Sequence, residues 1–266
     1  MKNFIHLAWI FIRRDFRSAK PTQWLFRLST GSLAVVAWWW VIRFFTQQVH
    51  PGTTNGSRGY FAYSVVGLAF SQCVWQGTAF FSARLKQQKN QGWLEMLWTA
   101  RYPFPLLIIF SGLWDFVFAS VNMGLTLAVG FLGFGIPFEW TQVFEVAGIA
   151  FLTCFAMSSL SLFSLACDLM DPRIDQAMRP FLNRLVPILC GALFPVTAFP
   201  GWLKGIALFF PLTHGLALVQ GILLPHSPVR LTTSWTSFVS LTCGFILLNW
   251  YFLKFALNRA RTSGQI

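Results

Sequence analysis

Long apolar runs recur along this chain, each close to the length a helix needs to cross a bilayer. A hydrocarbon core of ~30 Å takes about 20 residues of helix at ~1.5 Å per residue. Runs of that length occupy residues 25–46, 60–83, 106–134, 143–167, 181–198 and 234–256. Hydrocarbon offers no partner to an open backbone amide, so each run must satisfy its own hydrogen bonds, and helix is the expected element. Composition agrees: 11% of the residues are charged and 55% hydrophobic, against about 25% charged in soluble domains. The expectation is an all-α integral membrane protein forming one transmembrane domain over 1–266.

The formal net charge of +12 does not point to nucleic acid. No basic cluster accompanies a soluble binding module, and the distribution follows the excess of Lys and Arg expected in cytoplasmic segments. Six spans with both termini inside keep the basic N-terminus, Arg84 to Arg101, Arg173, Arg179, Arg184 and the basic tail cytoplasmic. Only Arg43, Arg58, Lys204 and Arg230 fall outside. The stretch 181–224 is too long for one span and is punctuated by Pro187, Pro195, Pro200 and Pro211. A second crossing there would export the basic tail, so the expected solution is one span followed by a re-entrant helix pair at 199–224 on the outer side.

Ahead of the first run, residues 1–24 form an amphipathic segment. Phe4, Leu7, Ala8, Phe11 and Ile12 share one helical face, opposite Lys2, His6, Arg13, Arg17 and Lys20. That pattern predicts a helix lying in the cytoplasmic interface, ended by Pro21, and is not that of a cleavable leader. The five cysteines (73, 154, 167, 190 and 243) show no C-x-x-C spacing and are expected as buried thiols. His6, His50, His214 and His226 have no ligand spacing, so no metal is expected.

Between the second and third runs the chain turns polar over 85–102, with "LKQQKNQGWLEMLW" from Leu85 to Trp98. Gly92 can open a short helix in which Trp93, Leu94, Leu97 and Trp98 share an apolar face, with Glu95 beside it. Such a helix either rests on headgroups or docks in a groove of a cytoplasmic partner, tryptophans inward. "LKQQKNQGWLEMLWTARYPF" resembles the cytoplasmic loop of type-2 ABC transporter permeases, with Trp93 where the family commonly has Thr. "GALFPVTAFPGWLKGIALFFPLTHGLALVQGIL", Gly191 to Leu223, is similar to that family's segment between spans five and six. Ala217 and Gln220 stand where members often carry an acidic residue and an arginine.

The resemblance implies the membrane subunit of an ABC exporter in a bacterial cytoplasmic membrane. It implies a second permease copy, most simply a homodimer, and two ATPase subunits that hold the ATP and Mg²⁺. The chain has no G-x-x-x-x-G-K-[ST] phosphate loop, so no catalytic residue and no bound cofactor are expected in it. Gly92, Trp93, Leu94, Glu95, Leu97 and Trp98 would form the coupling helix. Gly191, Pro195, Pro200, Gly201, Trp202, Pro211 and His214 would shape the outer gate.

Asp115 lies within the third run, where a carboxylate either contacts substrate or fixes packing. Asp168, Asp171 and Asp175 fall near one helical face and are expected in a solvated cytoplasmic loop. An Mg²⁺-diphosphate enzyme of the intramembrane prenyltransferase kind is the rival reading of those three acids. A non-transporting membrane scaffold is the other rival. The abundant phenylalanines suit lipid contact and an apolar path for a hydrophobic or lipid-linked substrate.

Overall fold

The computed structural model describes residues 29, 31–41, 43–44, 60–75, 77–78, 104–133, 141–223 and 235–262. The interfacial segment 1–24 and all the coupling residues from Gly92 to Trp98 lie outside them. Among the described residues every regular element is helical. In chain order these are α1 (Gly31–Val41), α2 (60–75), α3 (Phe104–Gly133), α4 (Gln142–Ser158), α5 (Leu160–Met170) and α6 (Pro172–Leu189), then α7 (Gly201–Phe209), α8 (Pro211–Leu223) and α9 (Trp235–Thr262).

Among the described residues two segments are long and apolar enough to cross a membrane, Gln142–Met170 with 29 residues and Trp235–Arg259 with 25. The first is α4 and α5 in line, interrupted at Ser159, whose hydroxyl bonds back to the Ala156 carbonyl at 2.7 Å. Asn249 of α9 holds the joint, donating to Ser159 Oγ at 3.2 Å and to the Phe245 carbonyl at 2.8 Å. A third candidate is the pair α7–α8, bent by 92° at Phe210.

The core lies where α2, α3, α4, α8 and α9 meet, around Phe70, Met123, Ile149, Met157, Leu216 and Phe238, all essentially without solvent contact. A smaller cluster, Leu165, Ala166, Leu253 and Ala256, ties α5 to α9. Phe144 and Phe155 of α4 and Leu247, Tyr251 and Phe255 of α9 point outward. In water such a surface would aggregate, but hydrocarbon makes it an ordinary exterior.

Helices in lipid gain little from hiding oil from oil, so they associate where small residues let backbones approach. Gly67 of α2 is the closest case: an added Cβ would lie 1.7 Å from the Ala192 carbonyl oxygen. Gly77 abuts the Met157 backbone in the same way, and Gly215 abuts the Thr153 side chain.

Two expectations need correction. The helix at the fifth apolar run, α6, spans 172–189, not 181–198, because Asp171 accepts a hydrogen bond from the Arg173 amide at 2.8 Å as N-cap and Pro172 takes the first helical position. Cys73 and Cys154 are not separate thiols. They are paired across α2 and α4 with Cα atoms 5.2 Å apart, while Cys167, Cys190 and Cys243 are free.

Candidate functional site: the Gly191 turn, the bent pair and an apolar cleft

α6 ends in a turn built around Gly191. Its φ of +89° lies in the left-handed region that glycine enters without a Cβ penalty. Gly191 N–H donates to the Ile188 carbonyl at 3.3 Å and Ala192 N–H to that of Pro187 at 3.0 Å, the two bonds of a Schellman cap. α2 secures the turn from the side, with Tyr63 Oη donating to the Gly191 carbonyl at 2.6 Å and Tyr60 Oη to that of Leu193 at 3.1 Å. Gly67 lets the two backbones touch. Pro195 then precedes a 3₁₀ turn, Val196–Ala198, and Pro200 caps α7, its carbonyl accepting from the Leu203 and Lys204 amides at 3.0 Å.

Side chains from α8 hold the bend between α7 and α8. Thr213 Oγ1 donates to the Ala207 carbonyl at 2.5 Å, and His214 Nε2 donates to the Leu208 carbonyl at 3.0 Å. Both thus satisfy open carbonyls in the last turn of α7 and clamp the two helices together. Pro211 has no amide hydrogen to donate and opens α8 after the extended Phe210. Trp202, with Gly201 at the start of α7, is 70% exposed and faces away from the protein. Replacing Thr213 with the isosteric valine is expected to cost about 1 kcal/mol, the net worth of one buried hydrogen bond. The check is a fall of a few degrees in the melting temperature of the purified protein.

Between α3 and α4 runs an open cleft of about 430 Å³. Met123, Gly124, Leu127, Val146, Ala150 and Phe151 line it, and Leu223 at the end of α8 closes one side. Ser120 brings the one side-chain hydroxyl, and that hydroxyl is engaged with the Phe116 carbonyl at 3.1 Å. The cleft can reward alkyl or aromatic groups and little else, and its volume lies within the ~300–1,000 Å³ of small-molecule sites.

The acidic stretch is not the open loop expected. Asp168 closes α5, Asp171 is a one-residue joint and N-cap, and Asp175 is buried in the first turn of α6. Asp175 accepts from Ser164 Oγ of α5 and from the Arg179 guanidinium. These acids therefore brace a helix corner. Among the described residues no group of three or more His, Cys, Asp or Glu is placed to hold a metal ion. Asp115 falls within α3, its side chain outside the described residues. Arg43 lies over the Trp39 ring at 5.0 Å and the Trp40 ring at 6.0 Å.

Sequence reasoning missed Tyr60, Tyr63 and Gly67. They sit one turn apart or closer on α2, and that small-and-phenolic pattern at the mouth of a run was the available signal. Arg184, expected inside, stands exposed two-thirds of the way along α6.

The description "ABC-2 family transporter protein" matches residues 42–254. Nodulation protein J of Rhizobium leguminosarum bv. trifolii is 26% identical over 213 residues, covering 77% of this chain and 76% of that protein.

Proposed function

The chain belongs to the ABC-2 transporter family, and from that premise we propose that it is the permease subunit of an ATP-driven exporter in a bacterial cytoplasmic membrane. A membrane subunit of this family works with a separate ABC ATPase. In the proposed assembly two permease copies and two ATPase subunits form the transporter, both permease termini are cytoplasmic, and six spans enclose the path. Gly92 to Trp98 receive the motion of the ATPase, with Trp93, Leu94, Leu97 and Trp98 as apolar anchors and Glu95 facing a basic rim. The bent pair α7–α8 acts as the outer gate, with Gly191, Pro195, Pro200 and Pro211 setting its shape.

The observation that carries this reading is the family match over residues 42–254, a range that includes the polar loop, the acidic corner and the bent pair. The α3–α4 cleft supports a substrate with a substantial apolar part, because its walls offer no polar reward to a sugar or an ion.

The docking helix is testable by co-purification with the cognate ATPase. Aromatic anchors at the centre of an interface contribute about 2 kcal/mol or more, so Trp93→Ala and Glu95→Ala should each reduce ATPase capture by over tenfold. ATP-driven transport should fall with it. Capture of the ATPase by both variants at the native level would sink the coupling assignment.

A further inference from the structure

We infer that Cys73, Cys154 and Met123 form a binding site for a soft monovalent cation, Cu(I), in the wall of the α3–α4 cleft. The site goes beyond the permease reading and stands without it.

Sulfur atoms converge here from three helices. Cys73 sits on α2, Met123 on α3 and Cys154 on α4, and all three are buried. Met123 Sδ lies 3.2 Å from Cys73 Sγ and 3.6 Å from Cys154 Sγ, while the Cα atoms of the two cysteines are 5.2 Å apart. Three soft donors therefore surround one point. Among the described residues no His, Asp or Glu joins the two cysteines to make a harder group of three.

Donor type selects the ion. Thiolate and thioether ligands favour Cu(I), whereas Mg²⁺ and Ca²⁺ want oxygen. A closed Zn²⁺ site takes four nitrogen or sulfur donors, one more than are gathered here. Apolar surroundings also favour a product without net charge. One Sγ–H bond breaks as Cu(I) arrives, its proton leaves to water, and the new sulfur–copper bond pairs one thiolate with one positive charge. The second thiol and the thioether complete the set through their lone pairs.

The Cys73–Cys154 disulfide is the oxidised state of the same site. Reaching the dithiol takes two electrons and two protons from a thiol reductant, which ends as its own disulfide. Cu(I) then joins α2, α3 and α4, where the sulfur–sulfur bond joins α2 and α4 alone. Met123 and Cys154 also line the cleft, which gives the ion an entry path that needs no unfolding.

The test uses the full chain purified in detergent, reduced with dithiothreitol, freed of it and kept under argon. Cu(I) is supplied as its bathocuproine disulfonate complex, whose loss of colour reports transfer. One Cu(I) per chain should be taken up, with a sulfur-only shell by X-ray absorption and a raised melting temperature. Met123→Leu conserves volume and should weaken uptake about tenfold or more, since even an outer-shell partner is worth ~10–100-fold in metal affinity. Cys243→Ser, which removes an exposed free thiol, should change nothing. Unsubstituted chain oxidised with diamide to the Cys73–Cys154 disulfide, verified by peptide mapping, should take up none, and this arm is independent of how any variant folds. Undiminished uptake by Met123→Leu, or equal uptake by oxidised and reduced chain, would overturn the assignment and leave Met123 as sulfur packing. Loss of uptake in Cys243→Ser would overturn it as well, by placing the copper on the exposed thiol.

Discussion

Gly67→Ala should lower the melting temperature of the purified permease by about 6–12 °C, while Gly244→Ala should leave it within about 1 °C. The contrast isolates contact from composition, since both changes add one methyl to a membrane helix. At Gly67 the new Cβ would lie 1.7 Å from the oxygen of Ala192, 2.5 Å from its carbonyl carbon and 2.8 Å from its Cα. All three are backbone atoms of a turn whose conformation is fixed by the Schellman bonds and by Gly191 at φ +89°. Nothing flexible can give way, so α2 must retreat and the Tyr63 bond to Gly191, now 2.6 Å, is lost with it. Overpacking costs ~1–3 kcal/mol, and the upper end applies where the obstacle is main chain. At about 2–4 °C per kcal/mol for a chain of this size class, that gives the stated fall. At Gly244 an added methyl meets nothing within 4 Å. Equal melting of the two variants would mean that α2 does not rest on the Gly191 turn.

How much of this was legible in sequence depended on which signal each element carried. Apolar run length located the segments that became α3, α4–α5 and α9 to within a few residues, because hydropathy is what the bilayer selects. The bent pair was legible for a different reason. Pro200, Gly201 and Pro211 are backbone punctuation, and they bound α7 and α8 at 201–209 and 211–223, inside the expected 199–224.

The helix at the fifth run, α6, was misplaced because its first half, Arg173 to Arg179, reads as a loop by hydropathy. Its polar groups are satisfied by partners the sequence does not display: Ser164 for Asp175, Thr78 for Asn183. Pairing of Cys73 with Cys154 is also a tertiary fact, since 81 residues separate them. Nothing in local spacing announces it.

The second large effect concerns that corner. Asp175→Ala should destabilise the protein by ~3–5 kcal/mol, the range for stripping one partner from a buried ion pair. The lower end is expected, since the Arg179 side chain keeps 23% of its exposure and water can partly replace the carboxylate. Asp175 itself is 1% exposed and receives both Ser164 Oγ and the Arg179 guanidinium, so one carboxylate joins α5 to α6 across a one-residue joint. Removing it takes one shared acceptor from the Arg179 guanidinium and the Ser164 hydroxyl at the joint between α5 and α6. The double variant Asp175→Leu with Arg179→Met should recover most of the loss, because a well-packed apolar pair often equals a buried ion pair in stability. Denaturant unfolding of the three proteins in detergent measures this directly. If single and double variants fall equally, the carboxylate serves something other than Arg179. Repeating the melts with Mg²⁺ separates the remaining rival: an ion pair bracing a corner predicts no change, whereas a metal-dependent rise lost in Asp175→Ala would restore the diphosphate-enzyme reading of these acids.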